Sequence, residues 1–164
     1  MTENTPLALQ PPAAHIKIRP VRLSDTDALR ESVWPERSPD HVYRFIARIR
    51  QTASQGHGIG VVVVDDALIV GYGQFMLWPR CGEISDLIVA ADQRGQGIGT
   101  AIIQFLSRAA CDMHAECIDI GAAMSNPGAI ALYRRLGFRD SFTQSLDLGT
   151  GEEPVLYLRL KLRR

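Results

Sequence analysis

The chain has 164 residues, and its 18 Lys plus Arg balance 18 Asp plus Glu to a formal net charge of zero. That length suits one domain with a buried core, and the even charge offers no footprint for a polyanion, so no nucleic-acid partner is expected. Apolar runs such as 59–64 are far too short for a bilayer, and no basic stretch followed by an apolar one opens the chain; a cytoplasmic protein without membrane attachment is expected.

Residues 1–14 carry Pro6, Pro11 and Pro12 with little apolar periodicity and read as a disordered tail ahead of a domain over 15–164. A strand follows at 15–21. Ser24 is a candidate helix cap, with Asp25 and Asp27 in the first turn. After a loop at 33–37, Val42, Phe45, Ile46 and Ile49 place one apolar stripe on a helix over 40–55. Strands at 58–65 and 68–77 are joined by a tight turn at Asp66-Ala67. Both are nearly all apolar, as in sheets covered on both faces. Strand 83–89, helix 98–114 and strand 117–122 make a βαβ-like unit. Helix 126–136 and strands near 138–147 and 154–162 complete an α/β fold with a mixed sheet.

Strand 83–89 breaks its own period. A two-residue repeat cannot place Ile84 on the same face as Leu87 and Val89. Either both faces are buried or a bulge lies near Ser85-Asp86. The three cysteines are an odd number, which argues against a disulfide framework. Cys111-x-x-His114-x-x-Cys117 has a metal-like spacing, but it straddles a helix end and a strand start and contains no paired C-x-x-C, so no metal site is expected.

Between strand 83–89 and helix 98–114 stands Arg94-Gly95-Gln96-Gly97-Ile98-Gly99. A strand, a glycine-rich turn and a helix start make a phosphate site, because the first helical amides lack internal partners and the helix dipole favours negative charge there. Glycines let those amides turn inward. A Walker loop requires Lys-Ser or Lys-Thr at the helix start, where this chain has Gly99-Thr100-Ala101. A dinucleotide fingerprint requires G-x-G-x-x-G; Thr100 replaces its third glycine, although Asp119 lies near the distance of the ribose-binding acid. The pattern R/Q-x-x-G-x-G/A is met by Arg94, Gly97 and Gly99. A turn that uses glycine for geometry alone is the remaining option.

The run from Asn126 to Phe138 reads N-x-x-A-x-x-L-Y-x-x-x-G-F through Asn126, Ala129, Leu132, Tyr133, Gly137 and Phe138. Asn126 suits an N-cap, Pro127 the first helical turn and Gly137 a left-handed stop. Together the two motifs resemble the GNAT superfamily of N-acetyltransferases, over most of 15–162. The resemblance implies a mixed sheet of about seven strands flanked by about four helices, with strands splayed where acetyl-coenzyme A wedges in. It implies that Leu87, Ile88 and Val89 contact the pantetheine arm and that Arg94, Gly95, Gln96, Gly97, Ile98, Gly99 and Thr100 hold the pyrophosphate. Asn126 stands beside the cofactor. Tyr133 matches the tyrosine that protonates the leaving thiolate; a phenol with a pKa near 10 suits that task. Glu83 matches the place of a catalytic glutamate acting as base through water, with Asp86 as understudy.

In such relatives the acceptor pocket is walled by the segments corresponding to Trp34–His41 and Asp147–Glu153. There Asp147, Glu152 and Glu153 are candidates to attract a cation, and Trp34 and Trp78 to line an apolar wall. The expected reaction is acetyl transfer to a primary amine, of a small molecule first, by direct attack in a ternary complex. A protein N-terminal or lysine amine is the alternative, and a non-catalytic acetyl-coenzyme A sensor the alternative of another class. A homodimer is an open option by analogy.

Overall fold

The structure is a computed structural model describing residues 15–163. Seven strands form one sheet in the order β1-β2-β3-β4-β5-β7-β6. In chain order the elements are β1 (Ile16–Pro20), α1 (Thr26–Ser32), α2 (Pro39–Ser54), β2 (Gly58–Asp65), β3 (Leu68–Leu77), β4 (Cys81–Val89), α3 (Ile98–Asp112), β5 (Cys117–Ala123), α4 (Pro127–Arg135), β6 (Arg139–Asp147) and β7 (Glu152–Lys161). Only β4 and β5 run parallel; every other pair is antiparallel. The expected mixed α/β sheet with four α-helices is thus what forms.

Local chemistry explains most boundaries. Ser38 caps α2, its hydroxyl accepting from the His41 amide at 3.2 Å, with Pro39 in the first turn. Asp66 and Ala67 both have positive φ, the geometry that suits the right-handed twist of a two-residue hairpin. At α1 the expectation fails: Ser24 makes no cap. Asp25 is the group that orders this corner, accepting the Arg22 amide and both nitrogens of an Arg19 fork at 2.8 Å each. The Arg19 fork and the Arg22 amide more than offset the cost of burying the carboxylate, so its pKa lies below the ordinary value.

Two cores flank the sheet. Ile84, Ile98, Ile102, Leu106, Ile120, Tyr133 and Leu158 belong to one, between the sheet and α3 and α4. Leu29, Trp34, Val42, Ile46 and Tyr72 belong to the other, where α1 and α2 pack over β2 and β3. On this second side no helix of the described residues packs over β5, β7 and β6, where Phe142 stands 45 % exposed. The period break in β4 is resolved by a bulge. Gln74 pairs with Ser85 and Tyr72 with Ile88, so Asp86 and Leu87 oppose Gly73 alone. Asp86 takes φ +52 there.

The cysteine reading is corrected. Cys81 and Cys117 are register partners in the parallel ladder, 4.6 Å apart at Cα, and form a disulfide. Cys111 stays free and exposed. An odd count excludes nothing when two of the three cysteines face each other across neighbouring strands. The bridge spans 36 residues, so reduction, or Cys81→Ser with Cys117→Ser, should cost about 2–4 kcal/mol by chain entropy. That corresponds to a fall of roughly 10 °C in Tm, read from melts with and without a dithiol reductant; an unchanged Tm would remove the bridge from the stability of the fold.

Candidate acetyl-coenzyme A and acceptor site

β4 and β5 are paired only from Cys81–Cys117 to Ile84–Ile120. Beyond that, β4 runs on to Val89 and β5 to Ala123 without pairing to each other, so the sheet opens into a V. Leu87, Ile88 and Val89 lie on one bank of the opening. Ile88 and Val89 keep their β3 partners, Tyr72 and Gly71. A strand paired on one side leaves backbone donors and acceptors on the other, and a polyamide arm can add to them as a strand would.

The mouth of the V meets α3. Gly95 and Gly97 have φ +77 and +79, and Gly97 is the α3 N-cap without any side-chain cap. The Ala101 amide already bonds to Gly97 O, so the amides of Ile98, Gly99 and Thr100 remain as donors with no helical partner. Ile98 itself is buried in the core, so its main chain, not its side chain, faces a ligand. Arg94 Nε donates to Val89 O at 3.2 Å, tying the loop to the tip of β4. The exposed Arg94–Gly97 stretch leaves open space around the would-be Cβ atoms of both left-handed glycines. An uncapped α-helix start, two left-handed glycines and a free strand edge fit a pyrophosphate and its amide arm. Gly97→Ala carries about 1–2 kcal/mol of left-handed strain, and relaxing it turns the amides away. Calorimetric titration with coenzyme A should show about 10-fold weaker binding; equal affinity would dissociate the loop from the ligand.

Tyr133 sits on α4, which packs on β5. Its ring is buried, yet the hydroxyl has no partner among the described residues and is not sealed from solvent. Burial raises its pKa, so it holds its proton throughout the neutral range. Asn126 caps α4, its side-chain oxygen accepting from the Ala129 amide at 3.1 Å.

On the opposite face two rows of side chains cross the sheet. The first runs Met76, Glu83, Asp119, Arg159; the second runs Gln74 and Ser85, then past the opening to Gly121, Tyr157 and Phe142. Glu83 therefore stands at the fork of the V. Burial first, then the charges of Asp119 and Asp86, raises its pKa above the ordinary glutamate value. Asp119 is gripped by a two-pronged Arg159 contact at 2.7 and 2.8 Å, so it is engaged within the sheet and not available as a ribose-binding acid. Asp86 is the exposed bulge residue. Tyr157 lies across Gly121, where a Cβ would come within 3.1 Å of its ring, and Phe142 stacks on it at 4.7 Å. Sequence reasoning singled out neither ring.

The remaining acceptor candidates divide. Trp34 is buried against Phe45 and Tyr72, with the Arg37 guanidinium over its ring at 4.6 Å; it is core and lines no open wall. Trp78 is half exposed near the β3–β4 turn. Asp147 accepts the amides of Gly149 and Gly151, and Glu153 accepts from Ser125 Oγ, which leaves Glu152 without a described partner. Of the metal-like spacing, Cys117 is tied into the disulfide with Cys81, whereas Cys111 is free and exposed.

The family model described as "Acetyltransferase (GNAT) family" matches residues 24–138. The chain belongs to the GNAT acetyltransferase family. That stretch holds the glycine loop, the V and the α4 tyrosine. An N-alpha-acetyltransferase of Sulfurisphaera tokodaii is 26 % identical over 136 residues, 76 % of this chain and 80 % of that protein. An N-acetyltransferase of Methanocaldococcus jannaschii, itself uncharacterized, is 38 % identical over 58 residues; the match spans 35 % of this chain and about a quarter of that protein, 26 %. Among solved structures, RimL, a ribosomal L7/L12 alpha-N-protein acetyltransferase in complex with coenzyme A, superposes with a TM-score of 0.80 at 15 % identity, covering 93 % of this GNAT chain and 97 % of that one. The expected fold and family therefore stand. No helix of the described residues is long and apolar enough to cross a membrane.

Proposed function

We propose that the chain transfers the acetyl group of acetyl-coenzyme A to a primary amine, by direct attack in a ternary complex. The observation that carries this is the V itself, with Glu83 at its fork and a raised carboxyl pKa, and with Tyr133, a phenol that keeps its proton, on the α4 helix packed against β5. A thioester lying in the opening meets an acid on the side of its sulfur and a base on the side of an incoming amine. The amine nitrogen bonds to the carbonyl carbon, and a β4 amide near Ile88 or Val89 stabilises the oxyanion. The C–S bond then breaks, and Tyr133 supplies the proton to the thiolate while Glu83 takes one from the amine through water.

The first candidate acceptor is a small-molecule amine. The uncovered face of β5, β7 and β6, with Phe142 exposed on it, equally suits the N-terminal residues of a peptide laid across the sheet. The N-alpha-acetyltransferase relative supports that second acceptor. An α-amine has a pKa near 8 and is about a tenth neutral at pH 7, whereas a lysine-like amine near 10.4 is neutral to a few parts in ten thousand and depends far more on a base. Thiol release from acetyl-coenzyme A, followed over a panel of polyamines, amino compounds and N-terminal peptides, decides between them. Turnover confined to one class names the acceptor. Tight coenzyme binding with no turnover on any class would favour a sensor instead.

A further inference from the structure

Two polar side chains lie where packing alone asks for none. Tyr72 is fully buried and Gln74 is 6 % exposed. Trp34 and Phe45 enclose the Tyr72 ring at 5.0 and 5.7 Å. Burying a phenol and an amide in such surroundings costs free energy unless each is bonded. Their bonds form a single line. Tyr72 Oη donates to Gln74 Oε1 at 2.8 Å, and Gln74 Nε2 donates to Ser85 Oγ at 3.3 Å. Register fixes the last link, since Gln74 and Ser85 are direct partners across β3 and β4. The room for the phenol depends on Gly60, where a Cβ would lie 2.7 Å from the Tyr72 oxygen.

The line ends where the V begins. Ser85 is the first β4 residue past the last pair with β5, Ile84–Ile120, and shares a face with Glu83 two residues earlier. A serine hydroxyl carries one proton and two lone pairs. With a lone pair taken by Gln74 on the β3 side, its proton is free to point into the cleft. Residues two apart on a strand stand about 7 Å apart, a gap that one water spans. Every donor in the line then points the same way, and the next fixed acceptor is the Glu83 carboxylate.

We propose that Ser85, oriented by Gln74 and Tyr72, is a positioning residue that holds the water through which Glu83 deprotonates the acceptor amine. The proposal rests on Glu83 being the base. The amine gives a proton to the water as its nitrogen bonds to the thioester carbon, and the water gives another to Glu83. Ser85 keeps its own proton and donates it, as a hydrogen bond, to the water oxygen. The charged and titratable groups facing Glu83 are Asp119 on β5 with its Arg159 partner from β7, Tyr157 on β7 and Asp86 on its own strand. None of them belongs to the line from Tyr72.

Steady-state kinetics on the full chain test this. Ser85→Ala should lower kcat about 10-fold while leaving KM for acetyl-coenzyme A within about twofold, and Ser85→Thr should restore most of the loss. In a Glu83→Gln background, Ser85→Ala should cost nothing further, because the water then has no base to serve. Tyr72→Phe combined with Gln74→Met removes both buried polar partners at once, avoids stranding either, and should reproduce the Ser85→Ala defect. Full kcat in Ser85→Ala overturns the proposal, as does a loss that persists undiminished in the Glu83→Gln background. Glu83→Gln at the wild-type rate overturns the base itself; a slow Glu83→Gln beside an unimpaired Ser85→Ala removes the positioning role alone.

Discussion

Tyr133→Phe is expected to lower kcat by about 100-fold or more, the usual scale for losing a positioned acid, with the affinity for coenzyme A unchanged. The structure separates the two effects. Tyr133 belongs to α4, whereas the unpartnered amides offered to the phosphates belong to the start of α3 and the open strand edge offered to the arm belongs to β4. The hydroxyl makes no bond to any described group, so its removal leaves no buried partner unsatisfied and the fold should melt near the wild-type temperature. Burial keeps the phenol protonated through the working range, so the wild-type rate should show no loss of this acid below the ordinary tyrosine pKa, about 10. Equal turnover by the two proteins, with both well folded, would return Tyr133 to a packing role against Phe138, 6.3 Å away.

What could be read from the sequence was local. Gly95, Gly97 and the amphipathic run after them announce an uncapped helix start, and Asn126-Pro127 announces the start of α4. The β4 bulge showed itself as a broken period between Ile84 and Leu87. What stayed hidden depends on register between distant strands. Nothing near Cys81 indicates that Cys117 lies opposite it, and nothing near Asp119 indicates Arg159, 40 residues on. The family resemblance puts the Trp34 loop on an acceptor wall; the aromatic contacts with Phe45 and Tyr72 draw the ring into the core instead. The buried line from Tyr72 does leave a trace in the sequence: Gln74 is the single amide in the otherwise apolar or glycine run Leu68–Leu77, and an amide in a buried strand needs partners.

Glu83→Gln is expected to separate activity from stability in opposite directions. A base in the proposed role supports about 100-fold in rate, and an amide cannot take the proton, so kcat should fall by that order. The wild-type acidic limb of kcat should stand above the ordinary carboxylate range, since burial, Asp119 and Asp86 all raise the pKa of Glu83, and it should vanish in the variant. The same shift fixes the sign of the stability change. A carboxyl whose folded pKa exceeds its unfolded value, about 4.3, favours the fold below that unfolded value and loses the contribution as pH rises through the folded one. At neutral pH the ionised Glu83 therefore weighs against the native state, half-buried beside two other carboxylates. The amide that replaces it in the variant carries no charge at any pH. Denaturant midpoints should place the variant above the wild type at pH 7.5, with the gap closing as the pH falls toward 4. A variant less stable at pH 7.5 would mean that Glu83 is held by a partner that offsets its burial, and a group so held would be a poor base.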